Sequence, residues 1–305
     1  MNHMNTAYRS RGAIIAAAMS SVAFALTSSA SASILGSASD FNAFIFGNIN
    51  YQNSDFEGRV AAGGNVSFTN MGVGSQLPNS NGALDHMIVG GNVNWTNGQV
   101  FGGNLSYGGT SILSGVGFPN GSAYQAAPSV NFAAEQAFLN QSSTFWSGLA
   151  GNGLAENTFG SVALTGFDSS LNVFNLDGAW LAGANGLSIT APTGSTVLIN
   201  VSGAAAQMQN FGFFLSGITS NNILFNFYEA TTLNMSGIGI EGSILAPLAS
   251  VTFANGQMNG TLIAESLTGS GELHHRPFGG DLPQVPAPAT LALFGLMGLA
   301  SRRRR

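Results

Sequence analysis

Apolar and polar residues alternate along most of this chain in short bursts, each opened by glycine or asparagine. Three hexads show the unit: Gly63-Gly64-Asn65-Val66-Ser67-Phe68, Gly90-Gly91-Asn92-Val93-Asn94-Trp95 and Gly102-Gly103-Asn104-Leu105-Ser106-Tyr107. A partial copy, Gly47-Asn48-Ile49-Asn50-Tyr51, precedes them. Glycine permits a tight turn and asparagine tolerates the same backbone region. On the strand that follows, Val66 and Phe68 face one side and Ser67 the other. The two-residue period returns at 171–174, 196–199, 223–227 and 250–253. Short strands punctuated this way predict an all-β solenoid or sandwich. The copies are unevenly spaced, which argues against a strict array. We expect an irregular right-handed β-helix, with rungs of different length stacked on one core.

One segment breaks the period. Residues 131–147 lack glycine and read as an α-helix, with Asn131 as the N-cap and Glu135 in the favourable first turn. Phe138, Leu139, Phe145 and Trp146 give it an apolar stripe to bury along the side of the solenoid. Gly148 ends it.

The two ends follow other rules. Arg9 and Arg11 precede an apolar run from Ala13 to Leu26, then the small-residue triad Ala30-Ser31-Ala32. This is the layout of a secretory signal peptide over 1–32, cleaved after Ala30-x-Ala32, with the mature chain starting near Ser33. The apolar core is short for a membrane span. At the other end, 283–305, Val285-Pro286-Ala287-Pro288 leads into an apolar run, Ala289 to Ala300, and then Arg302, Arg303, Arg304 and Arg305. The arginines would stay on the cytoplasmic side. Pro286, Pro288 and the four arginines resemble the PEP-CTERM sorting signal of exported Gram-negative proteins, with Ala287 where the family has glutamate. The resemblance implies processing by an exosortase-type enzyme, after transient retention in the inner membrane. Secretion machinery and signal peptidase are the other expected partners.

Composition narrows the body. Between the two end signals only Arg59 and Arg276 are basic, against all thirteen acidic residues of the chain. Such a surface repels phosphate backbones, so nucleic acid is excluded as a partner. There is no cysteine, hence no disulfide framework or thiolate metal site. Charged residues make up only 7% of the chain, and asparagine, serine and threonine supply the polarity. The many Phe, Leu, Ile and Val residues separate it from low-hydrophobicity disordered chains.

Longer motifs then point to a family. Leu35 to Asn42, Asp55 to Asn65, Glu241 to Pro247, Asn255 to Gly260 and Gly271 to Phe278 resemble the choice-of-anchor A domain, over nearly all of residues 33–282. That family is similar to ice-binding-like adhesive domains. The resemblance implies a β-helix with one helix packed alongside, displayed at the cell envelope or in the extracellular matrix. It carries no catalytic residues.

The candidate chemistry is sparse. Gly237-Ile238-Gly239-Ile240-Glu241-Gly242 spells a dinucleotide fingerprint, but strand-like residues and Pro247 follow instead of a helix. No G-x-S-x-G elbow occurs. His274 and His275 are adjacent, so on a strand they point apart and cannot jointly chelate. The acids lack an EF-hand-type calcium loop. Paired carboxylates for a glycosidase cannot be picked out by spacing alone. Arg59, near Asp55 and Glu57 and with Asp40 on a neighbouring rung, reads as a structural ion pair. We therefore expect no enzyme, cofactor or metal. The expected function is adhesion, to extracellular polysaccharide or cell surfaces, with ice or glycan-surface binding as the alternative and polysaccharide degradation ranked below both. Trp95, Tyr107 and Trp180 could stack on sugars, but aromatics in such strands are more often core. Thr190, Thr193, Thr196, Thr231 and Thr232 show no common register of the kind an ice-binding face needs. An exposed flat Thr/Asn array would favour ice, and an aromatic-lined groove would favour glycan.

Overall fold

The computed structural model describes residues 33–285. The expected signal peptide with Ala30 and Ala32, and the tail with Pro286, Pro288 and Arg302 to Arg305, lie outside the described residues. The first half of the body forms β1 (Ala43–Ile45), β2 (Ile49–Phe56), β3 (Val60–Ala62), β4 (Val66–Val73), β5 (Asp85–Val89), β6 (Val93–Val100), β7 (Asn104–Tyr107), β8 (Ser111–Gly117) and β9 (Ala123–Gln125). Helix α1 (Phe132–Ser147) follows, then β10 (Leu154–Thr158), β11 (Ser161–Thr165), β12 (Leu171–Asp177), α2 (Gly178–Ala182), β13 (Gly186–Thr190), β14 (Thr196–Ser202), β15 (Ala205–Gln209) and β16 (Gly212–Ser216). The last strands are β17 (Ile223–Asn226), β18 (Thr232–Glu241), β19 (Ser243–Asn259), β20 (Leu262–Gly269) and β21 (Glu272–His274).

Apart from β10 and β11, which pair antiparallel, the strands stack in parallel, as a β-solenoid requires. Each rung visits three faces. Strand β1 lies on the first face. Strand β2 covers the second, then bends at Asn53 onto the third. The bend is made by a left-handed residue, and the column of bends reads Asn53, Asn70, Asn97 and Gly115, with φ of 55°, 53°, 57° and 66°. Asparagine and glycine are the residues that adopt this conformation cheaply. Hydrogen bonds then lock the column: Asn70 Nδ2 donates to Asn53 Oδ1 at 2.8 Å, and Asn97 Nδ2 to Asn70 Oδ1 at 3.3 Å.

The rungs are not stacked in chain order. The first half runs from β1 to β9 toward one end. Helix α1 then returns along the first face. The second half starts with β10 to β13 and proceeds back until β20 pairs with β1 and β2, and β21 with β2. The first and last rungs thus meet at a seam inside the solenoid. This is a physical source of the irregularity expected from the uneven repeat spacing.

The third hexad differs from the other two. The Gly47, Gly63-Gly64 and Gly90-Gly91 turns stack at one corner, where Gly64 N donates to Gly47 O and Gly91 N to Gly64 O. The next member of that column is Gly108-Gly109, whose Gly109 N donates to Gly91 O at 2.9 Å. The Gly102-Gly103 turn leads instead onto the first face, where Leu105 pairs with Met87. At the stacked corner a Cβ on Gly90 would lie 2.3 Å from the Gly63 carbonyl oxygen, so rung spacing itself demands glycine.

The interior is apolar along its length. Tyr51, Phe68 and Trp95 occupy one column, and Phe68 meets Trp95 edge-on with ring centroids 5.3 Å apart. Trp95 is fully buried, so it is core and offers no sugar platform. Helix α1 is capped as expected, with Asn131 Oδ1 accepting from Ala134 N at 3.1 Å. It buries Leu139 and Trp146, with Phe138 and Phe145 half-buried beside them. The expectation of a single helix is corrected by α2. This short helix follows β12 and packs against β15, and Asp177 caps it.

Candidate functional site

The second face is polar. Its interior-facing residues are apolar, which leaves the alternate positions to solvent. Strand register aligns those positions in columns. One reads Gln207, Asn234, Thr252, Thr268, Asn50, Ser67, Asn94 and Ile112 across eight successive rungs. A second reads Gln52, Thr69, Thr96 and Ser114 above the seam, and Gln209, Ser236 and Ala254 below it. Neighbours along a column sit about 4.8 Å apart, and the columns about 6.6 Å apart. The result is a grid of amides and hydroxyls.

Two asparagine ladders border the upper half of this grid. One is the left-handed column of Asn53, Asn70 and Asn97. On the other edge, Asn48 Oδ1 accepts from Asn65 N at 2.7 Å, Asn65 Oδ1 from Asn92 N at 2.8 Å, and Asn92 Oδ1 from Thr110 N at 2.8 Å. Each side chain thus bonds the rung above it and fixes the pitch of the face. A shallow groove of about 440 Å³ runs between this ladder and the Asn50 column, and only Ile49, Val66, Val93 and Ile112 of its lining are apolar. No aromatic residue lines it.

The threonines named from sequence do not build the grid. Thr190 ends β13 on the third face, Thr193 lies in the following turn, Thr196 is buried, and Thr231 and Thr232 sit at a corner. The threonines that do align are Thr252, Thr268, Thr69 and Thr96. Their neighbours in space lie on different rungs, so no short sequence window shows them together. Tyr107 and Trp180 are half-buried against the core.

Arg59 takes the structural role read from sequence. Its Nη1 lies 3.9 Å from Asp40 Oδ2, its Nε donates to Asp85 O at 3.0 Å, and its guanidinium stands 4.4 Å from the centre of the Phe41 ring. Burial lowers its pKa, and Asp40 and Asp85 oppose that shift. Asp55 and Glu57, also considered as partners, point to the third face instead. The glycine motif at 237–242 runs along β18 and its end, so no helix N-terminus is present to receive a phosphate.

On the third face at the seam, Phe56 pairs with Leu273. This register sets Glu57 beside His274 and Asp55 beside Glu272. Donor atoms of Glu57, Glu272 and His274 lie within 4.8 Å of one another. Burial and then Asp55 raise the Glu272 pKa, while His274 opposes the rise. His275 turns away, as alternation requires; its backbone N donates to Glu57 Oε2 at 2.7 Å.

Residues 34–275 match the profile of an ice-binding-like adhesive domain. The chain belongs to that family. Residues 284–305 match the PEP-CTERM protein-sorting motif. The adhesive domain followed by this signal marks an exported surface protein, and the motif implies exosortase-type processing. No curated protein matches the sequence. Among solved structures, the adhesive domain is similar to an ice-binding protein from the Antarctic ascomycete Antarctomyces psychrotrophicus, at 14% identity and TM-score 0.40, covering 78% of this chain and 96% of that one. A glycosylated ice-binding protein from an Arctic yeast is 14% identical with TM-score 0.35, covering 84% and 96%. One from an Antarctic Flavobacteriaceae bacterium is 12% identical with TM-score 0.33, covering 76% and 78%.

Proposed function

We propose that this protein is an adhesin of the bacterial surface whose polar second face grips an extended, periodic, hydrated surface, with ice as the first such surface to test. The observation that carries the reading is the in-register grid of Asn50, Ser67, Asn94, Thr252, Thr268, Thr69 and Thr96. A two-dimensional array of fixed donors and acceptors suits a lattice, because each added rung repeats the same contact. Burial of a single small ligand needs an enclosed pocket, whereas the grid carries only a shallow groove along one edge. The same face could lie along an exopolysaccharide, whose hydroxyls also repeat; the groove beside the Asn48 ladder has no aromatic platform for a sugar ring, which keeps this reading second.

The ends deliver the face to its place. In this reading 1–32 is removed after Ala30-Ser31-Ala32, residues 33–282 form the adhesive domain, and 283–305 is the sorting tail. Pro286, Pro288 and Arg302 to Arg305 are then the residues that the inner membrane and the exosortase engage.

The test is partition of the purified protein into slowly grown ice, alongside binding to a panel of bacterial exopolysaccharides. The comparison is a variant with Thr69→Lys and Thr96→Lys. Uptake into ice that the variant loses supports the ice reading. Polysaccharide binding that the variant loses supports the second. If neither surface binds, or the variant binds as well as the parent, the second face is not the adhesive one.

A further inference from the structure

We propose that Glu57, Glu272 and His274 bind a divalent transition-metal ion that clasps the first rung of the solenoid to the last. Two of these residues come from β21, and Glu57 directly follows β2, more than two hundred positions earlier. The chain has only thirteen acidic residues. Two of them, Asp55 and Glu272, sit as direct neighbours on adjacent strands, with Glu57 next to this pair. Like charges placed opposite one another on a sheet repel, and a cation between the carboxylates removes that cost.

The orientation of His274 supplies the independent argument. Asn259 Nδ2 donates to Glu241 Oε1 at 2.9 Å. A carboxylate only accepts, so the amide oxygen of Asn259 must be the atom facing His274, and it lies 2.9 Å from Nδ1. Nδ1 therefore donates to Asn259, which holds the ring with Nε2 facing Glu272, whose Oε1 is 3.3 Å away. A simple ion pair would use Glu272 alone, whereas here a second carboxylate, Glu57, also brings an oxygen within 4.8 Å of a nitrogen of the same ring. A metal-bound imidazole is held in this way, with its far N–H donated to a carbonyl or carboxylate oxygen. Tetrahedral zinc with bonds of about 2.0–2.1 Å separates its ligand atoms by about 3.4 Å, so the His274–Glu272 pair already stands at ligand spacing. One nitrogen and two oxygens suit zinc; calcium takes six to eight oxygens, roughly. An open cavity of about 500 Å³, lined in part by Ser54, Asp55 and Asn255, reaches the cluster at Glu272.

The experiment uses the purified exported protein, stripped with a chelator and dialysed, and titrated with zinc by calorimetry. One zinc ion should bind per chain. The unfolding temperature should rise with zinc concentration, because the ion binds the folded chain alone. Hydrogen exchange at β21 and Glu57 should slow. His274→Ala and Glu57→Gln should each abolish binding, and Asn259→Ala, which only frees the imidazole, should weaken it about 10–100-fold. Glu57 and His274 are both half-buried, so Glu57→Gln serves if the histidine variant fails to fold. Absence of zinc binding overturns the proposal and leaves His274 and Glu272 as a simple side-chain pair. Zinc affinity that survives both ligand substitutions, or calcium binding in place of zinc, overturns it as well.

Discussion

His86 is the side chain whose chemistry is most constrained by its place. It is 2% exposed, and Nδ1 has no hydrogen-bond partner. Its ring packs against Gly103, where a Cβ would lie 2.5 Å from the imidazole Cδ2. Burial lowers its pKa, Arg59 lowers it further, and Asp85 opposes both. The unfolded chain therefore takes up a proton near pH 6.5, while the folded chain still refuses it. Between the lowered folded pKa and 6.5 the unfolded state binds more protons, so stability rises with pH. The contribution is complete above about pH 6.5 and is lost as the solution is acidified. Urea unfolding at pH 7 and pH 5 should show this loss, and His86→Phe should make the difference between the two pH values smaller. An unchanged difference would show that His86 titrates alike in the folded and unfolded states. At this scale the sequence was readable where chemistry is local: the Asn131 cap, the burial of Trp95 and the divergence of His274 and His275 all follow from neighbours within four positions. Glu57 was not readable as a partner of His274, because only the closing of the seam brings them together.

Among the elements, α1 shows how a helix is fastened to a stack of strands. Its stripe covers the outward column of the first face, where Leu245, Ile263, Phe44, Ala61 and Ile88 align. Beyond Leu245 that column turns to Asn226, Asn200 and Asn175. Each asparagine donates to a carbonyl on or just after the helix: Asn226 to Ser143 O at 2.9 Å, Asn200 to Trp146 O at 2.9 Å and Asn175 to Leu149 O at 3.1 Å. They also bond one another, with Asn200 Nδ2 to Asn175 Oδ1 at 2.8 Å and Asn226 Nδ2 to Asn200 Oδ1 at 2.9 Å. Trp146 O is one of the final-turn acceptors that a helix cannot satisfy internally. Asn200→Ala removes its bonds to Trp146 O, Asn175 Oδ1 and Asn226 Nδ2 together and should cost about 2 kcal/mol of stability. Asn50→Ala on the polar face should change stability by no more than about 0.5 kcal/mol. Chemical denaturation of the two variants checks the contrast; equal losses would mean that the ladder does not hold the helix. The strands and the helix were legible because alternation and the break in it are written in consecutive residues. Their stacking order was not, since the ladder partners lie 17 or 27 positions apart and the third hexad turns a different corner.

At the scale of the whole molecule, the described body continues past β21 and ends beside α1. Leu282 is buried, and Trp146 Nε1 donates to Pro283 O at 2.9 Å. The described residues therefore end beside the first face, and none of those after β21 covers the polar grid on the second. Expression in an exosortase-bearing host, followed by fractionation and intact-mass measurement, tests the proposed fate of the ends. A surface or released species that begins near Ser33 and lacks the apolar run after Pro288 is the expected product. Replacing Arg302 to Arg305 with serine should leave the tail uncleaved. A full-length species in the cytoplasm would overturn the proposed export route.

The meeting of first and last rungs also sets a timetable. An exported chain emerges from its N-terminus, so β1 and β2 arrive early, with the edges that β20 and β21 will cover still bare. An uncovered strand edge is a template for pairing with another chain. Folding can close that edge only after residue 274 has crossed the membrane, when little besides the tail is still inside. Retention by that tail would keep each molecule apart from its neighbours during the interval in which it is most able to aggregate.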